Sequence, residues 1–356
     1  MLEKPDLFNF NTREMAEFFK NSGEKAFRAQ QVMAWLHQKG VCDFEQMTNL
    51  AKSLRVFLKE NARATSLPLL NIEESGDGTI KFLWDIAGQA IESVFIPEEN
   101  RATLCISTQI GCALECAFCC TGKQGFSRNL TTAEIVGQLW GVKTFLNDFQ
   151  NRRISNVVLM GMGEPLANFE NTAKAIDVFL DDFAYGLSRR RVTVSTAGIV
   201  PMMDKLAQRA PVALAVSLHA ARDDLRDLLV PLNKKYPLKE LLLACKRYLA
   251  FAPRDFITFE YTLIHSINDS TKDAQDLLKL TRNIPCKFNL IAFNPFEASN
   301  FIAPSARRLA AFADVLKNAG RVVTFRKTRG DDIAAACGQL AGKVQSRRKV
   351  VLALAS

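Results

Sequence analysis

The sequence predicts an α/β protein: an open, partial (β/α)6 barrel of the TIM type, preceded by a small helical N-terminal accessory domain. Three features of the hydrophobic pattern lead there. From Ile154 onward, short near-continuous apolar runs alternate with amphipathic helical stretches, as parallel strands covered by helices do. Between Leu70 and Gln109 the pattern has period two, and up to about Ala64 it follows the helical period.

Taken in order, Asn11 and Glu14 have the spacing of a capping box, opening a helix that contains Met15, Phe18 and Phe19. Ala26–His37 and Phe44–Leu58 repeat the helical period, with Gly40 between them. Thr79–Ile86, Ala90–Ile96 and Thr103–Thr108 read as strands, with turn signals at Asp77–Gly78 and Ala87–Gly88. A cysteine-rich loop follows Gln109 and leads into a helix from Thr131, where Thr131 and Glu134 again fit a capping box. The strands Ile154–Met160, Val192–Ser195, Val212–Ser217, Phe256–Ile264 and Lys287–Phe293 come next, each with a helix after it. The first two of those helices include Thr172–Phe179 and Met202–Leu206.

Together with the strand entering the cysteine loop, these make six βα units, too few to close an eight-stranded barrel. A doubly wound sheet is the alternative, because periodicity does not separate the two. The expected organisation is a helical domain at 1–70, a β-rich extension at 71–109, the partial barrel at 110–300 and a C-terminal extension at 301–356.

With 48% hydrophobic residues, the 356-residue chain can bury a sizeable core. Its first residues, Met-Leu-Glu-Lys-Pro, contain no apolar leader, and no apolar run approaches the roughly 18 residues that cross a bilayer. A cytoplasmic protein away from membranes is expected. In such a compartment nine cysteines point to metal binding or catalysis rather than a disulfide framework. The formal charge of +9 gathers at Arg152–Arg153, Arg189–Arg191, Lys234–Lys235 and Arg347–Lys349. That excess suits a polyanionic partner, whose phosphates release counterions when neutralised, although by itself it fits a solvated surface equally well.

The chemistry concentrates at Cys112, Cys116 and Cys119, spaced C-x3-C-x2-C with Phe118 before the last cysteine. Three thiolates from one loop ligate three irons of a [4Fe–4S] cube and leave the fourth iron without a protein ligand, whereas an electron-transfer cluster uses four. An open coordination position is a catalytic feature. In radical S-adenosylmethionine (SAM) enzymes the amino and carboxylate groups of SAM fill it, and electron transfer then produces a 5′-deoxyadenosyl radical. The competing reading is a zinc site with Cys120 as fourth ligand. Zinc ligands come as two separated pairs, however, and here neither a second pair nor a nearby His exists.

The run Cys112–Cys119 followed by Gln124-Gly125-Phe126-Ser127-Arg128-Asn129-Leu130 resembles the RlmN-type adenine-C2 RNA methyltransferases. Three further stretches agree: Gly161-Met162-Gly163-Glu164-Pro165, Ser217-Leu218-His219 and Ala336-Cys337-Gly338-Gln339-Leu340. The resemblance spans nearly the whole chain, including the helical N-terminal region. It implies a radical SAM barrel with Gly163 and Glu164 at the amino end of SAM, and with Ser195, Ser217, Leu218, His219 and Asn294 as further SAM-binding residues. These positions fall at successive C-terminal strand ends, where barrel enzymes place ligands.

The resemblance also implies two SAM molecules per turnover. One methylates the Cys337 thiolate, and the other supplies the radical that abstracts hydrogen from that S-methyl group. The carbon radical adds to C2 of adenine, and Cys105 then attacks the Cys337 sulfur to release methylated RNA and leave a disulfide. Glu92 is implied as the proton acceptor. From the residues alone, Glu92 shares a strand face with Val94 and Ile96 and is expected to be exposed; the resemblance favours burial. The flanks of Cys337, Gly330-Asp331-Asp332 and Gly338, suggest a loop-to-helix junction near the barrel mouth. Cys42, Cys120, Cys245 and Cys286 carry no such context.

The implied partners are 23S rRNA, tRNA and an electron donor such as flavodoxin, with the enzyme acting as a monomer. The rival readings are a Cfr-like enzyme that methylates C8 of the same adenine and a non-catalytic iron–sulfur RNA-binding protein. The latter has no use for the open iron, the strand-end residues or Cys337.

Overall fold

The computed structural model describes residues 4–149, 153–297, 299–326 and 329–342. Of the basic clusters, Arg152 and Arg347–Lys349 lie outside the described residues.

The N-terminal region is helical. Helix α1 (Thr12–Asn21) starts at the expected capping box, the Asn11 side chain accepting from the Glu14 amide and Glu14 reaching back to the Asn11 amide. Helix α2 (Arg28–Met33) runs on into a π turn at Ala34–Gln38. The helix expected over Phe44–Leu58 is broken. The Asp43 carboxylate caps a short 3-10 turn at Phe44–Gln46, and helix α3 (Lys52–Asn61) begins only after an extended Ala51. Between them Asn49 accepts from the Trp35 indole, a partnership that a continuous helix would not offer. The region docks on the following domain through Phe8, whose ring meets His37 and Trp140 edge-on, and through Trp140 and Lys143, which donate to the carbonyls of Leu36 and His37.

Strands β1 (Leu69–Glu74), β2 (Ile80–Ile86), β3 (Gln89–Pro97) and β4 (Ala102–Cys105) form an antiparallel run. Its turns carry left-handed Gly78, Ala87 and Gly88 at the two sequence-marked positions. Strands β5 (Gln109–Gly111) and β6 (Phe126–Asn129) make a separate hairpin that brackets the cysteine loop and helix α4 (Cys120–Lys123). Helix α5 (Thr132–Phe149) follows, with Thr131 and Glu134 bonding reciprocally at its start.

The remaining chain alternates β7 (Asn156–Leu159), α6 (Phe169–Leu180), β8 (Val192–Thr196), α7 (Val200–Arg209), β9 (Ala213–Ser217), α8 (Asp223–Leu229), α9 (Leu238–Leu249), β10 (Ile257–Leu263), α10 (Thr271–Leu280), β11 (Cys286–Ala292), α11 (Ala306–Asn318) and β12 (Val322–Phe325). The sheet order is β1-β2-β3-β4-β7-β8-β9-β10-β11-β12, parallel from β4 onward and linear rather than closed. This is the partial barrel, with one strand beyond the six expected: β12 pairs in parallel with β11.

The lumen face of the parallel strands mixes Thr103, Asn156, Thr193 and Asn289 with Val158, Ala215 and Ile291. Along β10, Ile257, Phe259, Tyr261 and Leu263 are fully buried, whereas Thr258 and Glu260, on the opposite face, line the barrel lumen.

Candidate active site

A cavity of about 950 Å³ occupies that lumen, and Cys105, Cys119, Glu260, Asn294, Arg326 and Cys337 are among its walls. It reaches from the N-terminal strand ends, near Arg101 and Arg254, to the C-terminal ends of β4, β11 and β12.

The cysteine loop is held on three sides. The Cys112 amide donates to the Gly125 carbonyl (2.8 Å), the Ala117 amide to the Leu229 carbonyl at the end of α8 (3.0 Å), and the Cys120 amide to the Gly338 carbonyl (2.7 Å). Phe118 leans its ring on His219, with centroids 4.3 Å apart. Burial pushes the thiols of Cys112, Cys116 and Cys119 up, and Cys116 lies close enough to both others that their charges disfavour its ionisation. Cys112 is buried and Cys116 and Cys119 are half-buried, and three neighbouring thiols on one loop fit an iron–sulfur cube as a donor set. Among the described residues no three Cys, His, Asp or Glu are gathered around a single-ion site.

The strand-end residues surround this loop. Gly163 has φ +98°, and a Cβ there would stand 2.5 Å from the Gln109 side chain, so only glycine lets this turn approach β5. Glu164 is buried. Its carboxylate accepts from the amides of Leu166 (3.1 Å) and Ala197 (2.8 Å), and burial lifts its pKa to about 7. Ser195 and Ser217 are half-buried at the ends of β8 and β9. Leu218 is buried, and its amide donates to the Glu260 carbonyl (3.0 Å). His219 adopts a left-handed φ of 59°, and its Nδ1 accepts from the Thr262 amide (2.9 Å), which puts the proton on Nε2. Burial lowers its pKa to about 3, so it is neutral.

Cys337 rides on a strap over the barrel mouth. The strap's carbonyls at Cys337, Gly338 and Leu340 accept from Asn294 (3.0 Å), the Cys120 amide and Thr121 (2.6 Å). Its near end is held by Ser75 on Asp332 and by Lys81 on the Ile333 carbonyl. The expected loop-to-helix junction is reversed: a 3-10 turn at Asp331–Ile333 precedes Cys337, and irregular chain follows it. Glu92, expected from its strand pattern to be exposed, is buried at 7%. It is covered by this strap, whose Ala341 amide donates to its carboxylate (3.0 Å), while Lys81 stands 3.9 Å away. Burial raises the Glu92 pKa, and Lys81 opposes the rise.

Three residues at the site escaped sequence reasoning. Arg226, 1% exposed, donates to the carbonyls of Leu218 (3.0 Å), Ala197 (2.7 Å) and Ser217 (2.9 Å) and to Asn233 (2.9 Å), tying the ends of β8 and β9 to α8. Glu260 and Arg326 face the cavity beside the two thiols. The Arg326 guanidinium faces Cys337, Cys105 and Glu260.

A partial barrel with three loop cysteines at its mouth and polar strand ends around them is the layout of a radical SAM enzyme. Residues 106–278 match the radical SAM superfamily model, and residues 5–64 match the ribosomal RNA large subunit methyltransferase N-terminal domain. A radical SAM methyltransferase from Sphaerobacter thermophilus is 41% identical with a TM-score of 0.88, over 94% of this chain and 99% of that one. The chain belongs to the radical SAM methyltransferases, in the branch that carries this N-terminal domain, and its cofactors are a [4Fe–4S] cluster and SAM. Two other solved structures are far more distant. A domain of the pyruvate-formate lyase-activating enzyme from Bacteroides vulgatus is 17% identical (TM-score 0.38; 49% of this chain, 99% of that one). SuiB of Streptococcus suis bound to S-adenosylmethionine is 11% identical (TM-score 0.45; 65% and 52%). Neither likeness bears on the chemistry. Among the described residues no helix is long and apolar enough to cross a membrane.

Proposed function

We propose that this enzyme methylates C2 of an adenine in 23S rRNA, and of the adenine next to the anticodon in tRNAs, with Cys337 as the methyl carrier. One observation carries the reading: Cys105 and Cys337, more than 200 positions apart, line the same cavity together with Cys119 of the cysteine loop. Two thiols in one cavity supply both a carrier and a means of releasing it.

When bound, the cluster and two SAM molecules supply the methyl group and the radical chemistry. Cys112, Cys116 and Cys119 hold the cluster. Gly163, Glu164, Ser195, Ser217, Leu218, His219 and Asn294 form the rim that receives SAM. Cys337 carries the carbon as a thioether and delivers it to the base, and Glu92 accepts the C2 proton. Cys105 then attacks the Cys337 sulfur, freeing the methylated RNA as the disulfide forms. The strap keeps Cys337 at the barrel mouth throughout. The reducing cytoplasm regenerates the thiols, a flavodoxin-type donor supplies electrons, and the enzyme works as a monomer.

Mass spectrometry of nucleosides from rRNA and tRNA treated with reconstituted enzyme tests this. The expected product is 2-methyladenosine in both RNAs. An 8-methyl product would assign the Cfr-like reaction instead, and no methylated nucleoside would overturn the reading.

A further inference from the structure

The lumen holds a carboxylate that the chemistry above does not use. Glu260 lies mid-strand on β10 and is 5% exposed. Its orientation is set by two strands. The Thr324 hydroxyl on β12 bonds to Asn289 Oδ1 on β11 (3.0 Å), which turns Asn289 Nδ2 toward Glu260 Oε2 (2.8 Å). Among the described residues this is the one side-chain hydrogen bond that Glu260 accepts, and the residue lines the cavity. Arg326 is placed by its own backbone amide, which extends the β11–β12 ladder to the Leu290 carbonyl (2.9 Å). Among the described residues the single side-chain bond of its guanidinium is a weak one to the Met160 sulfur (3.4 Å). Among the described residues no ion pair within 4 Å joins it to Glu260 either.

A positioned acceptor and a positioned fork of donors, facing one cavity together, form a matched pair that a ligand of complementary edge would bridge. The ligand must offer a hydrogen-bond donor beside an acceptor. The edge of adenine does so, with its exocyclic amine flanked by ring nitrogens. Two adenines come to this enzyme under the proposed function, on which this inference rests: the RNA base and the adenosyl group of SAM. The cavity distinguishes them. Glu260 and Arg326 share it with Cys105 and Cys337, whereas of the rim assigned to SAM only Asn294 lines it.

We propose that Glu260 and Arg326 read the target base, Glu260 accepting from the exocyclic amine and Arg326 donating to an adjacent ring nitrogen. They are specificity residues for the RNA, separate from those that carry carbon or protons.

The test compares one RNA carrying adenine or purine, which lacks the amine, at the target position. Wild type, Glu260→Gln and Arg326→Lys are measured for kcat/KM, for RNA affinity and for SAM affinity. Wild type should prefer adenine by about tenfold or more, the worth of one hydrogen bond to a charged group. Glu260→Gln should bring that ratio towards one with SAM affinity unchanged, and Arg326→Lys should lower it in part. An equal ratio in wild type and Glu260→Gln overturns the proposal. So does a loss of SAM affinity in Glu260→Gln with the base preference intact, which would assign the carboxylate to the cofactor. Should either variant fail to fold, a wild-type ratio near one is enough to overturn it. Binding separates the two ideas: an adenine preference in affinity without methylation upholds base reading and sinks the proposed reaction.

Discussion

The backbone amide of Cys120 donates to the carbonyl of Gly338 at 2.7 Å, so the cysteine loop and the strap carrying Cys337 form one hydrogen-bonded unit. Gly338 makes this join with φ +85°, and a Cβ there would stand 3.2 Å from the Phe118 carbonyl. Gly338→Ala should therefore cost about 1–2 kcal/mol locally and loosen the strap. Alkylation of Cys337 by iodoacetamide should accelerate several-fold. An unchanged rate would show that the strap is held elsewhere.

Arg226 is the buried keystone of the strand ends around the cysteine loop. Its guanidinium satisfies three main-chain carbonyls and Asn233, and burial lowers its pKa only to about 10, so it stays charged. Arg226→Met strands those acceptors and should destabilise the fold by at least about 3 kcal/mol in urea denaturation. Arg226→Lys, which keeps the charge but loses the planar fork, should fall between. Equal stability of all three proteins would contradict this assignment.

Much of this architecture is legible in the sequence. The six parallel strands announce themselves because their outward faces must be apolar to meet helices, and the capping boxes at Asn11 and Thr131 are local chemistry written in adjacent residues. What stays hidden depends on distant partners. Arg226 sits in Arg222-Asp223-Asp224-Leu225-Arg226-Asp227, which reads as a solvated charge run until the carbonyls of β8 and β9 are brought above it. β12 is four residues long and gains its identity only by pairing with β11. Glu260 left a usable signal, an acid between Phe259 and Tyr261 in an otherwise apolar strand. Glu92 reads as exposed because its cover, the strap around Ala341, arrives from about 250 positions away.

Acid should weaken the docking of the N-terminal region. His37 is fully buried between Phe8 and Tyr185, and burial depresses its pKa from 6.5 to about 3. The folded state therefore holds it neutral while the unfolded chain protonates. Stability is intact above pH 6.5, falls as pH drops below that value, and the loss is complete only near pH 3. His37→Phe should reduce the slope of stability against pH below 6.5 by up to about 1.4 kcal/mol per unit. His219 shifts in the same direction, so some slope should remain. An unchanged slope would mean that His37 is protonated in the fold.

RNA affinity should fall by at least about tenfold between 50 and 200 mM salt as phosphate contacts are screened. The basic clusters should not contribute alike. Arg189 and Arg190 spend their guanidinium donors on the carbonyls of Pro211, Phe251 and Pro253, before the start of β8 and away from the mouth. Lys234 and Lys235 are exposed just beyond α8, whose end bonds the cysteine loop. Lys234→Ala with Lys235→Ala should lower the salt slope, whereas Arg189→Ala should reduce stability and leave the slope alone. The opposite pattern would relocate the RNA surface.

The division of labour between Cys105 and Cys337 is the central claim, and trapping the covalent intermediate tests it most directly. Cys105→Ala protein, reacted with substrate RNA, digested with protease and analysed by mass spectrometry, should carry a nucleotide on the peptide containing Cys337, because no thiol remains to resolve the link. Cys337→Ala protein should carry none, because the carrier is gone. An adduct on the Cys337→Ala protein, or normal turnover by the Cys105→Ala protein, would contradict the account.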